Sequence, residues 1–136
     1  MKIFVTGSSG FIGFHLSKKF LEKGHSVHGF DSMNNYYDVK IKKARYKILN
    51  AYKKFSFTKG KLENKKILSK SILKFRPRVI VHLAAQAGVR YSIEKPRVYL
   101  DSNIIGTYNI IELAKKVNIK HLLIASSSSV YGANKK

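Results

Sequence analysis

Three glycines spaced as Gly7-x-x-Gly10-x-x-Gly13 stand between a short apolar run, Lys2 to Thr6, and a segment in which Phe11, Ile12, Leu16, Phe20 and Leu21 recur near helical spacing. A strand that feeds a helix through such a loop predicts a phosphate-binding βα turn. Gly7 permits the tight turn, Gly10 lets the backbone approach a pyrophosphate, and Gly13 lets helix and strand pack closely. Amides at the helix start and the helix dipole favour the phosphates. The competing reading is an ordinary glycine-rich turn.

The rest of the chain continues the alternation. Ser26 to Phe30 reads as a second strand stopping at Asp31, Tyr36 to Tyr52 as a basic helix, and Phe55 to Thr58 as a third strand. Glu63 to Phe75 reads as a helix closed by Arg76-Pro77, and Val79 to Ala84 as a nearly all-apolar strand covered on both faces. A long helix runs from about Val98 to Val117, and His121 to Ala125 is the last strand. This order predicts an α/β fold, a doubly wound parallel sheet. Residues 1–136 form one domain, expected to stop after the fifth strand and to be incomplete.

Asp31 lies 18 residues beyond Gly13, at the end of the second strand. An acid there accepts hydrogen bonds from the adenosine ribose hydroxyls and repels a 2′-phosphate, which favours NAD over NADP. Taken alone, an Asp after a strand is a common turn former.

The chain has no cysteine, which excludes disulfides and thiolate metal sites, and no apolar run of membrane-spanning length. A soluble cytoplasmic protein without a membrane partner is expected. Its 27 basic and 7 acidic residues give a formal charge of +20, densest between Lys40 and Lys54. That charge suits a polyanion partner, yet no nucleic-acid-binding motif accompanies it, and the favoured reading is lysine filling solvent-facing positions. His82, inside an apolar strand, reads as a satisfied core histidine, and the other histidines show no metal-ligand spacing.

With Thr6-Gly7-Ser8-Ser9-Gly10-Phe11-Ile12-Gly13, His82-Leu83-Ala84-Ala85 and Ser126-Ser127-Ser128-Ser129-Val130-Tyr131-Gly132, the chain resembles the extended short-chain dehydrogenase/reductases that modify nucleotide sugars. Asp31-Ser32-Met33-Asn34-Asn35-Tyr36-Tyr37-Asp38 and Ala85-Gln86-Ala87-Gly88-Val89-Arg90-Tyr91-Ser92 look like UDP-glucuronate 4-epimerases, with dehydratases and UDP-glucose 4-epimerases next. The resemblance implies a nucleotide-sugar substrate, a UDP-uronic acid foremost, whose C4 is oxidised and re-reduced from the opposite face with NAD as the hydride carrier.

It also implies site residues. Ser127 is the catalytic hydroxyl, with Ser126 and Ser128 near substrate. Phe11, Ile12, Asn35, Leu83, Ala84 and Asn103 match cofactor-contacting positions beside Gly7, Gly10, Gly13 and Asp31. Arg90 is a candidate for the substrate carboxylate, or else a solvated loop arginine. A homodimer is implied by the resemblance alone.

Two departures stand out. The family's Tyr-x-x-x-Lys pair lies some way beyond its serine loop, whereas the chain as given ends 9 residues after Ser127. Tyr36/Lys40, Tyr91/Lys95 and Tyr131/Lys135 have the spacing in the wrong places. The chain is therefore expected to be the amino-terminal part of an epimerase, inactive alone and lacking the substrate domain; the rival readings are a non-catalytic NAD-binding module and a basic nucleic-acid binder. The second departure is Lys61 after Gly60, where the family usually has an Asp that contacts adenine. A lysine cannot accept that hydrogen bond, so weaker cofactor affinity is expected.

Missing outer elements would leave apolar surface uncovered. The 136-residue chain is accordingly expected to associate in light scattering after size exclusion, and a monomer with a cooperative melt would contradict this.

Overall fold

The computed structural model describes residues 1–132. Lys135, of the Tyr131/Lys135 pair, and the side chain of Ser128 lie outside the described residues. Five parallel strands, β1 (Lys2–Thr6), β2 (Ser26–Asp31), β3 (Phe55–Lys59), β4 (Val79–His82) and β5 (His121–Ile124), form one sheet in the order β3-β2-β1-β4-β5. The doubly wound reading is met. The order reverses between β1 and β4, and at such a switch point the strand ends open a crevice.

Helices α1 (Phe11–Glu22), α2 (Val39–Asn50), α3 (Lys65–Phe75), α4 (Val89–Glu94), α5 (Pro96–Tyr99) and α6 (Gly106–Lys116) fill the connections. Two apolar clusters flank the sheet. Phe4, Phe30, Leu68, Ile72, Ile80 and Ile110 pack with α3 and α6 on one face, and Ile3, Val5, Phe14, Leu21, Val27 and Leu49 pack with α1 and α2 on the other. The alternation of Ile3 and Val5 against Phe4 along β1 is the two-residue period of a strand buried on both faces.

Several boundaries differ from the sequence reading. Helix α2 begins at Val39, because the Asp38 side chain accepts from the Lys40 amide and caps it. Tyr36 and Tyr37 are thereby left in the preceding loop. β4 ends at His82, two residues early, since the Leu83 and Ala84 amides turn to Thr6 Oγ1 (3.1 and 3.0 Å). The segment after β4, read as loop, contains α4. The long helix read over Val98 to Val117 is two α-helical pieces joined by a π-helical stretch, Leu100–Ile105.

Apolar side chains remain exposed on these last elements: Val89 and Ile93 on α4, Ile104 on the π stretch, Tyr108 on α6, and Leu123 and Ile124 on the edge strand β5. Among the described residues no helix is long and apolar enough to cross a membrane.

Two buried histidines brace the sheet. His28 on β2 hydrogen-bonds Ser56 Oγ (2.7 Å), Thr58 Oγ1 (3.0 Å) and Ser71 Oγ (2.8 Å), and stacks on Phe4. His82 joins Thr6 Oγ1 (2.8 Å) to Thr107 Oγ1 (3.0 Å). It is a satisfied core histidine, as its apolar setting suggested. Thr6 Oγ1 already accepts from two amides, so its own proton points at His82 Nδ1. Nδ1 is then the acceptor, and Nε2–H donates to Thr107.

Burial lowers the His82 pKa to about 4; burial, and then the nearby Lys74 ammonium, lower that of His28 to about 4. In the unfolded chain both rings take up a proton near pH 6.5, but in the folded chain only near pH 4. Between those values the unfolded state binds more protons, so stability falls as pH drops through 6.5 and the loss is complete near 4. Urea unfolding at pH 7 and pH 5 should show a loss of roughly 2 kcal/mol per histidine. His82→Gln should remove its share of the slope, and a flat profile in the parent protein would contradict the assignment.

Candidate active site at the switch point

The β1–α1 loop, the end of β2, the β3–α3 loop and the β4–α4 loop enclose a cleft of about 420 Å³. Gly7 and Gly10 form part of its floor. Gly7 has φ +69°, and a Cβ there would stand 3.0 Å from the Ala84 amide nitrogen, so both conformation and contact demand glycine. A Cβ on Gly13 would collide with the Gly7 carbonyl, which is why α1 can start directly beneath the loop. Gly10 caps α1 without a side-chain hydrogen bond, and the first turn holds no acid. The amides at the start of α1 therefore have no helical acceptor. This cradle fits a pyrophosphate.

Asp31 is buried, and its two oxygens accept from the Ser9 amide (3.0 Å) and the Met33 amide (2.8 Å). The first bond ties the glycine loop to the end of β2, and the second turns the chain into the Asn34–Tyr37 segment. A carboxylate has about four acceptor sites, so two amides leave capacity for ribose hydroxyls. Asn35, Leu83 and Ala84 also line the cleft.

The other candidates are placed differently. Phe11 and Ile12 turn their side chains to solvent, on a shallow surface shared with His15 and Leu16, and neither lines the cleft. Arg45 on α2 lies over the Phe11 ring and donates to the Ser9 carbonyl (3.4 Å). Asn103 does not line the cleft. Its Oδ1 accepts from the Gln86 amide (2.7 Å) and its Nδ2 donates to the Gln86 carbonyl (3.0 Å), so both ends of the amide clamp the β4–α4 loop. Arg90 is exposed on α4, one residue from Tyr91, which does line the cleft. Ser126 and Ser127 follow β5 and are exposed, while the backbone of Ser128 begins a short 3-10 turn ending at Tyr131.

Lys42, Tyr36 and Glu63 are among the cleft residues that sequence reasoning missed. Lys42 was grouped with solvent-facing lysines, yet it is only 8% exposed and donates to the Asn34 carbonyl (3.0 Å) and Asn34 Oδ1 (2.7 Å). Burial of an ammonium requires such partners. Tyr36 packs against Tyr37 and Tyr91, joining the β2–α2 loop to α4. Glu63 lines the cleft beside Lys61. For Lys42 the sequence offered no local signal, since its partner Asn34 lies eight residues earlier in the β2–α2 loop.

A sequence profile of the GDP-mannose 4,6-dehydratase family matches residues 4–136. The chain belongs to this family. Its fold is that of the family's NAD-dependent epimerases and dehydratases, as the glycine loop and the serine loop suggested. The chain is 56% identical to protein CapI of Staphylococcus aureus over 98% of its own length and 40% of that protein. It is 48% identical to a probable UDP-glucuronate 4-epimerase of Rhizobium meliloti, over 100% of this chain and 40% of that one. The UDP-glucuronic acid 4-epimerase of Bacillus cereus, solved with UDP-glucuronic acid and NAD, superimposes with a TM-score of 0.90 at 33% identity, over 100% of this chain and 43% of that one. The chain thus spans about 40% of the length of the curated relatives it matches.

The Asn103 clamp can be tested directly. Asn103→Ala unpairs a donor and an acceptor of Gln86 and should cost about 2 kcal/mol, while Asn103→Asp keeps the acceptor for the Gln86 amide but sets a carboxylate oxygen against the Gln86 carbonyl. Amide hydrogen exchange at Gln86 should be faster in both variants than in the parent. Equal exchange in all three would show that the clamp does not hold the loop.

Proposed function

We propose that the chain is the NAD-binding part of a nucleotide-sugar 4-epimerase acting on UDP-glucuronate and UDP-galacturonate. The observation that carries this is the buried Asp31 carboxylate beside the glycine cradle, at the switch point of a sheet whose chain is 48% identical to a probable UDP-glucuronate 4-epimerase. NAD, when bound there, would supply the hydride acceptor and donor for epimerisation at C4 of the sugar.

The residues act as follows in this reading. The Gly7–Gly13 loop and the start of α1 hold the pyrophosphate, with the backbone of Phe11 and Ile12 contributing amides. Asp31 accepts from the ribose hydroxyls, with Asn35 beside it on the cleft wall. Leu83 and Ala84 shape the wall opposite, and Asn103 positions that wall through Gln86. Ser127 supplies a hydroxyl to the reacting sugar oxygen, Ser126 and Ser128 flank it, and Arg90 meets the uronate carboxylate. The base in this reading is a tyrosine with a lysine four residues on, a role that none of the pairs Tyr36/Lys40, Tyr91/Lys95 and Tyr131/Lys135 is placed to fill. A cytoplasmic homodimer is the state in which the enzyme works.

The test uses the full-length protein. Proton NMR should show UDP-glucuronate and UDP-galacturonate interconverting with no net change in NADH absorbance, and Asp31→Ala should weaken NAD binding about tenfold or more. The family also includes dehydratases. A 4-keto-6-deoxy product from a nucleotide-linked neutral hexose, which has the C6 hydroxyl that uronates lack, or no turnover of either uronate, would end the epimerase assignment, while unchanged NAD affinity in Asp31→Ala would end the cofactor reading.

A further inference from the structure

Lys61 poses a specific problem for a cleft that is to hold an adenine. The Gly60 amide donates to the Asp31 carbonyl (3.0 Å), and Asn109 Nδ2 donates to the Leu62 carbonyl (3.0 Å). The β3–α3 loop is therefore fixed beside Asp31, across the end of the sheet toward α6. A base joined to a ribose on Asp31 meets residues 60–63. Its 6-amino group needs a side-chain acceptor there, and the Lys61 ammonium is none, while its backbone carbonyl is taken by the Asn64 amide (3.1 Å).

Three carboxylates line the cleft: Asp31, Glu63 and Asp101. Asp31 is engaged with two amides and faces the ribose. Asp101 is paired with Arg97 at 2.8 Å. Glu63 remains, and its side chain is 29% exposed against 72% for Lys61. Lys61 Nζ stands 3.7 Å from Glu63 Oε1, and the lysine is the more exposed member of the pair. A carboxylate paired through one oxygen keeps its second oxygen available as an acceptor.

We propose that Glu63 takes over adenine recognition from position 61, accepting a hydrogen bond from the 6-amino group, with Lys61 as its exposed counter-ion. This rests on the reading that the cleft binds NAD. It replaces the simple expectation that Lys61 weakens the adenine site with a relocated acceptor two residues on.

The test compares NAD with nicotinamide hypoxanthine dinucleotide, which carries a carbonyl in place of the amino group. Affinities are measured by calorimetry on the full-length protein stripped of bound nucleotide. A Glu63 carboxylate facing the base repels that carbonyl, whereas a Lys61 ammonium facing the base would attract it. NAD should bind about tenfold more tightly than the hypoxanthine analogue. Glu63→Ala should bring the two within about twofold, chiefly by weakening NAD. Lys61→Ala should leave the preference largely standing, because an exposed ion pair contributes little.

Equal affinities in the parent protein, tighter binding of the analogue, or a preference that survives Glu63→Ala would each overturn the proposal while leaving NAD binding intact. Failure of both dinucleotides to bind would overturn the NAD reading itself, and the proposal with it.

Discussion

The Thr6 hydroxyl is the point on which the site depends. It is fully buried at the end of β1 and accepts from the Leu83 and Ala84 amides while donating to His82 Nδ1. A hydroxyl offers one proton and two lone pairs, so its capacity is used completely. These bonds end β4 at His82 and lead the following chain away from the sheet. Parallel strands that parted without such a partner would leave buried amides unpaired. The crevice between β1 and β4 is thus opened by a side chain, and the glycine loop begins at the next residue.

The cleft is then closed by side chains that clamp backbone. Asp31 ties the end of β2 to Ser9, Asn103 holds Gln86 at both of its backbone groups, Asn109 holds Leu62, and Lys42 holds Asn34. Each clamp satisfies polar groups that a loop over a hydrophobic sheet cannot leave bare. The π-helical stretch belongs to this scheme. It carries Asp101 and Ser102 to the cleft and Asn103 to the Gln86 backbone before α6 resumes the α-helical repeat. The result is a wall preorganised for a ligand, built from residues whose own bonds are internal.

The glycine spacing and Asp31 were legible in the sequence because their constraints are local: a turn, a helix start, an acid at a strand end. The strands were legible for the same reason, since an all-apolar run needs no distant partner to be read. Lys42 was not, because a lysine on a basic helix carries no local sign that an asparagine eight residues earlier will bury it. The true end of β4 was equally hidden, since Leu83 and Ala84 extend the apolar run and only Thr6, 77 and 78 residues away, withdraws their amides. Asn103 was placed at the cofactor by resemblance, and its clamping of Gln86 is a property of the folded chain. The end of β4 was misread because side chains act on it across a long sequence separation, whereas the start of α2 was set locally by the Asp38 cap.

Charge completes the arrangement. Asp31, Glu63 and Asp101 are three of only seven acidic residues in a chain with 27 basic ones, and all three line the cleft. Lys42 and Lys61 line it as well. The surrounding excess of positive charge raises the potential that draws in an anionic dinucleotide, an effect that acts over nanometres and carries little specificity. Specific recognition needs acceptors for the hydroxyl and amino donors of the nucleoside, and in so basic a chain those acceptors are scarce. Their concentration at one end of one sheet is what separates a nucleotide site from a surface that merely attracts polyanions. Lys61 does not strip the β3–α3 loop of acceptors, because a carboxylate, Glu63, lines the cleft two residues on.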